Sequence, residues 1–110
     1  MLFRLLEINE SSKYFKYIFC NEHTIQLTIK SKLPQNFVPY YLYDINLSLG
    51  EEYVPNPRMS DRIEYLGVVF KTTRNSIHVQ SGSVHFLFPL AAYKSKPGTD
   101  VWIFVTEIKS

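Results

Sequence analysis

Ile77-His78-Val79-Gln80-Ser81-Gly82-Ser83-Val84-His85-Phe86-Leu87-Phe88 is the stretch whose reading decides the fold. Ile77 and Val79 alternate with polar neighbours, and Val84, Phe86 and Phe88 alternate after the Ser81-Gly82 step. Successive side chains of an extended strand point to opposite faces, so the pattern predicts two strands with one apolar face, joined by a tight turn. With Ser81-Gly82 as a two-residue turn, Val79 pairs with Val84 and Ile77 with Phe86. His78 then stands opposite His85 on the reverse face.

The same logic extends towards the N-terminus. Tyr14-Phe15-Lys16-Tyr17-Ile18-Phe19-Cys20 and Thr24-Ile25-Gln26-Leu27-Thr28-Ile29-Lys30 form a second hairpin. A two-residue turn at Asn21-Glu22 would set Phe19 against Thr24 and mix apolar with polar side chains. A three-residue loop, Asn21-Glu22-His23, pairs Phe19 with Ile25, Tyr17 with Leu27 and Phe15 with Ile29. Because a one-residue slip moves every side chain to the other face, the three-residue loop is preferred. It leaves Tyr14, Lys16, Thr28 and Lys30 together on the outer face.

Further strands are predicted at 2–8, 40–49, 67–71 and 101–108. In the second of these Tyr41, Tyr43, Ile45 and Leu47 share one side. Residues 101–105 are apolar on both faces, which suits a strand covered on two sides. Pro55 and Pro57 make 50–60 a long loop, and 72–75 and 94–100 read as turns. Asp61-Arg62-Ile63-Glu64 has the spacing of a capping box, and Ile63, Leu66 and Phe70 a helical stripe, which together predict one short helix near 61–66. The expected architecture is mainly β: one domain over 1–110, a small antiparallel barrel or sandwich of six to seven strands.

Composition bounds what such a domain does. The chain has 110 residues, 45% hydrophobic and 20% charged, which is ordinary for a globular protein that buries a core. Its net charge of +2 falls short of the strong excess that marks a nucleic-acid binder by charge alone. One cysteine, Cys20, forms no internal disulfide, so a cytoplasmic setting is expected. No apolar run is long enough to span a bilayer, and no signal-peptide pattern is present.

Catalytic signatures are missing. Cys20 and His23 lack a third group to orient the base, and neither a phosphate loop nor a nucleophile elbow occurs. His78 and His85 are two imidazoles where a stable zinc site wants three or four ligands, which Glu64 or His23 would have to complete. No enzyme activity, cofactor or metal is therefore expected.

Two binding readings remain. In the first, the chain is a non-enzymatic protein-binding module, an inhibitor, immunity-type or accessory subunit, acting stoichiometrically or by self-association. Its tyrosine-rich, partly acidic surface would comprise Tyr40, Tyr43, Asp44, Glu51, Glu52 and Tyr53, since tyrosine is enriched at interfaces. In the second, Tyr14, Lys16, Lys30 and Lys32 bind single-stranded nucleic acid, lysines meeting phosphates and the ring stacking on bases. Outward lysines also protect sheet edges from aggregation, which is the competing explanation for that set.

Overall fold

Strands with one inward-facing apolar side make up the chain's computed structural model, which describes residues 1–49, 62–89 and 96–108. The strands are β1 (Leu2–Glu10), β2 (Phe15–Cys20), β3 (Gln26–Ser31), β4 (Leu42–Leu49), β5 (Arg62–Thr72), β6 (Ile77–Ser81), β7 (Val84–Phe88) and β8 (Asp100–Ile108). All neighbours pair antiparallel in the order β1-β2-β3-β7-β6-β5-β8-β4, and β4 returns to β1 to close a barrel. The expected β class holds, with eight strands among the described residues rather than six or seven.

Eight strands enclose a space that side chains alone can fill. Phe3, Leu5, Phe19, Leu27, Ile29 and Phe86 are among the fully buried residues. Ser31 is the one buried polar residue among those described. No described helix is long and apolar enough to cross a membrane.

Both hairpins keep the expected faces but pair two positions further along. In the first, Phe19 meets Leu27, Tyr17 meets Ile29 and Phe15 meets Ser31. The loop is three residues long, but it is Glu22-His23-Thr24: Asn21 N–H donates to the Ile25 carbonyl at 3.0 Å and Thr24 N–H to the Asn21 carbonyl at 3.1 Å. Asn21 Oδ1 accepts from the N–H groups of His23 and Ile25, both at 2.9 Å, and Thr24 takes the left-handed φ of 61°. A type I turn followed by a left-handed residue is the usual three-residue hairpin loop, and the Asn21 side chain sets where it begins.

In the second hairpin Ser81 meets Val84, Val79 meets Phe86 and Ile77 meets Phe88, so the turn is Gly82-Ser83. Gly82 supplies φ of 57° at the first central position, as a II′ turn requires. His78 lies opposite Leu87 and His85 opposite Gln80, so the imidazoles are diagonal neighbours.

The expected helix near 61–66 is absent over its described part. Residues from Arg62 onward extend along β8, Ile63 opposite Val105 and Leu66 opposite Trp102, while Asp61 lies outside the described residues. Pairing with β8 outweighs a weak local helical stripe. Gly67 lets β5 approach β6 closely: a Cβ there would stand 2.6 Å from Val79 Cγ1 and 3.0 Å from the Gln80 carbonyl. The second apolar face of β8 belongs to the outer wall, where half-buried Trp102 and Phe104 stack at 6.3 Å and Arg62 sits 4.5 Å over Phe104. The long loop expected at 50–60 lies outside the described residues.

The connection from β3 to β4 closes one mouth of the barrel. Phe37 enters from this loop and makes edge contacts with Tyr17, Phe19 and Tyr43 at ring separations of 5.0, 5.4 and 5.5 Å. Three tyrosine hydroxyls serve the same loop. Tyr17 accepts from Gln35 N–H at 2.8 Å, Tyr43 accepts from Val38 N–H at 2.8 Å, and Tyr65 donates to Gln35 Oε1 at 3.0 Å. Gln35 Nε2 in turn donates to Ser31 Oγ at 3.1 Å, which satisfies the buried serine.

Removing the plug tests its weight. Phe37→Ala deletes a buried aromatic ring and should lower unfolding free energy in urea by about 3–5 kcal/mol. Tyr43→Phe strands the Val38 N–H and should cost about 1–3 kcal/mol. If Phe37→Ala left the urea midpoint in place, the loop would be ornamental to stability.

Candidate nucleic-acid interface

The outer faces of β2, β3, β7, β6 and β5 form a continuous wall in which side chains at matching register stand side by side. One row runs from Asn9 through Lys16, Lys30, His85 and Gln80 to Val68. The next runs from Glu7 through Ile18, Thr28, Leu87 and His78 to Lys71. Lys16 and Lys30 are thus directly opposed, an arrangement that costs stability because like charges face one another. No carboxylate interrupts the row between Asn9 and Val68.

Aromatic groups border these cations. Lys30 Nζ lies 5.1 Å from the centre of the Tyr14 ring, a cation–π distance. Tyr14 is positioned by the β1–β2 turn, where Ser11 Oγ accepts from the N–H groups of Lys13 and Tyr14, both at 3.2 Å. At the other end of the wall a bulge between Val69 and Lys71 sets consecutive Phe70 and Lys71 side chains outward. The Phe70 ring covers both imidazoles, 5.7 Å from His78 and 5.1 Å from His85.

His78 Nδ1 and His85 Nε2 are 3.1 Å apart and share a hydrogen bond, so one ring donates and the other accepts. Burial first, then the Lys71 ammonium, lowers the His78 pKa below its usual 6.5. For His85 burial again leads, followed by His78 and Lys30. Lys30 stands opposite His85 and Lys71 opposite His78. The wall therefore holds fixed lysine charges around a neutral imidazole pair.

Of the residues expected at a nucleic-acid surface, the fold brings Tyr14, Lys16 and Lys30 together. Lys32 lies just beyond the end of β3, its N–H bonded to the Ser83 carbonyl at 3.4 Å. Phe70, Lys71, His78 and His85 extend the set, and the bulge hides the placement of Phe70 and Lys71 in the linear pattern.

Of the expected protein-binding set, Tyr40, Tyr43 and Asp44 lie among the described residues. Tyr43 is 2% exposed, because strand alternation turns it into the core and its hydroxyl holds the plug, which corrects its assignment to the surface. Tyr40 is 68% exposed, and Asp44 Oδ1 accepts from the Met1 amino group at 2.8 Å. Glu51, Glu52 and Tyr53 lie outside the described residues.

Cys20 and His23 border an open groove of about 700 Å³ with Arg4 and Glu22, but no hydrogen bond joins the two. His23 instead faces Glu22 at 3.4 Å on the exposed loop. Glu64, a candidate third metal ligand, accepts from Arg62 at 2.7 and 3.1 Å. Among the described residues no three metal-ligating side chains converge.

Depressed imidazole pKa values link stability to pH. Below the usual value of 6.5 the unfolded chain takes up protons before the folded barrel does, so stability is complete above that value and falls as pH drops through it. The urea midpoint should decline between about pH 7.5 and pH 5, and less steeply in a His78→Gln/His85→Gln variant. Equal declines in both proteins would show that the pair does not contribute. Comparison of the sequence with models of protein families, and with characterised proteins, finds no match.

Proposed function

We propose that this chain is a non-enzymatic module that binds single-stranded nucleic acid along the outer wall of β2, β3, β7, β6 and β5. The directly opposed Lys16 and Lys30, with the Tyr14 ring against Lys30, carry the reading. A like-charged cross-strand pair weakens the sheet, and in a closed barrel no free edge exists for those lysines to protect. A polyanion would relieve that repulsion. Tyr14 and Phe70 offer ring faces on which bases stack without regard to sequence.

The modest net charge of +2 predicts few phosphate contacts, hence weak binding that is lost as salt rises. A second reading, docking of a protein partner, is favoured by Tyr40 alone. It combines 68% exposure with a left-handed φ of 69°, held by Arg4 Nη1 donating to its carbonyl at 2.6 Å. Backbone strain kept at an exposed aromatic is a feature of binding sites. A reducing, cytoplasmic setting suits either reading, supported by the unpaired Cys20.

Fluorescence titration with a labelled thymidine oligomer at two salt concentrations tests the proposal. Lys16→Ala and Lys30→Ala should each reduce the slope of log K against log salt by about 0.7. Tyr14→Ala should cost about 1–3 kcal/mol of binding, while Tyr40→Ala should leave it unchanged. Absence of binding at low salt would sink the nucleic-acid reading and leave the Tyr40 rim as the better candidate.

A further inference from the structure

Each imidazole of the His78–His85 pair has one nitrogen committed to the other ring and one left over, His78 Nε2 and His85 Nδ1. No buried side-chain nitrogen or oxygen among the described residues lacks a hydrogen-bond partner, so these two outer nitrogens meet solvent. They lie between Lys30 on β3 and Lys71 on β5, with Phe70 against both rings. The other neighbours at matching register, Gln80 and Leu87, carry no charge.

Proton bookkeeping on this geometry is restrictive. The neutral pair has two N–H groups on four nitrogens: one bridges the rings, one points outward as a donor, and the remaining outer nitrogen is an acceptor. An acceptor lone pair repels a phosphate oxygen. One added proton converts it into a second outward donor and gives the pair a single positive charge, while the bridge between the rings survives. A second added proton would place donors on both facing nitrogens and break the bridge.

We propose that the His78–His85 pair is a phosphate subsite of the outer wall, which takes up one proton as it binds a phosphate group. Lys30 and Lys71 flank the bound group and supply fixed charge. The inference rests on the nucleic-acid reading for the source of the phosphate, a backbone diester, but its chemistry applies equally to a free phosphate ion. Burial, with the lysines adding to it, keeps the rings neutral in the empty site, and the lysine charge is offset once the anion arrives, so proton uptake and binding favour each other.

Isothermal calorimetry of the full chain with a thymidine oligomer, at about pH 7 in two buffers of different ionisation enthalpy, measures the uptake directly. About one proton should enter per chain bound, and the His78→Gln/His85→Gln variant should show none. At about pH 6 that variant should bind roughly tenfold more weakly than the parent, the loss of one charge-assisted contact. Trp102 fluorescence during urea unfolding establishes that the variant is folded. Oligomer binding without proton uptake, or uptake that persists in the variant, overturns the subsite and leaves the nucleic-acid reading standing.

If the oligomer does not bind, that reading fails instead, and inorganic phosphate decides the subsite by itself. Phosphate at constant ionic strength should shift the ring resonances of His78 and His85 in the parent, relative to chloride. Unshifted rings would overturn it.

Discussion

Closing one mouth of an eight-stranded barrel falls here to Gln35 and Phe37, and Tyr17, Phe19, Tyr43 and Tyr65 are arranged around that task. Phe37 fills the opening with apolar volume, which burial favours. Its backbone must follow it, and a loop lying over a dry interior carries N–H and C=O groups that water cannot easily reach. The hydroxyls of Tyr17 and Tyr43 satisfy two of those N–H groups, and Gln35 ties Tyr65 to Ser31 through its amide. Burial raises the pKa of Tyr65 to about 12 and that of Tyr43 above its usual value, so both stay protonated and able to hydrogen-bond at any physiological pH. Strands β2, β3, β4 and β5 all contribute a group to this closure, which makes the loop a shared fastening.

How much of this was legible in the sequence follows from which interactions are local. Alternation assigned Phe19, Tyr17, Val79 and Phe86 to the core correctly, because faces depend only on parity. Register depends on where a loop begins, and there Asn21 and Gly82 decided by hydrogen bonding and by φ, which alternation does not encode. Each hairpin consequently slid by two residues without a side chain changing face. The helix expected near 61–66 failed for the opposite reason: its signal was local, and pairing with β8 overrode it.

Tyrosine illustrates the same limit at the level of function. A tyrosine on a strand looks like interface material in a sequence, yet Tyr17, Tyr43 and Tyr65 are consumed by the plug, and only a loop arriving from elsewhere reveals that use. The lysines run the other way. Lys16 and Lys30 were open to an edge-protection reading until closure of the barrel left no edge, and only cross-strand register shows that they face each other. Phe70 reaches their wall through a bulge, an irregularity that breaks the very periodicity from which strands are read.

Strand β8 lies between β4 and β5, although those two strands precede it in the chain. On a ribosome, β4 and β5 therefore emerge as successive segments that cannot complete their pairing with each other's neighbourhood until the final strand is made. Until then each presents an unpaired ladder of backbone groups, and the plug has no completed mouth to close. The order of synthesis thus sets the order of assembly: the hairpins of β2–β3 and β6–β7 can form early, whereas closure waits for β8, with its loop entropy lost then. Delay in releasing that segment would prolong the interval in which open edges are available to other chains.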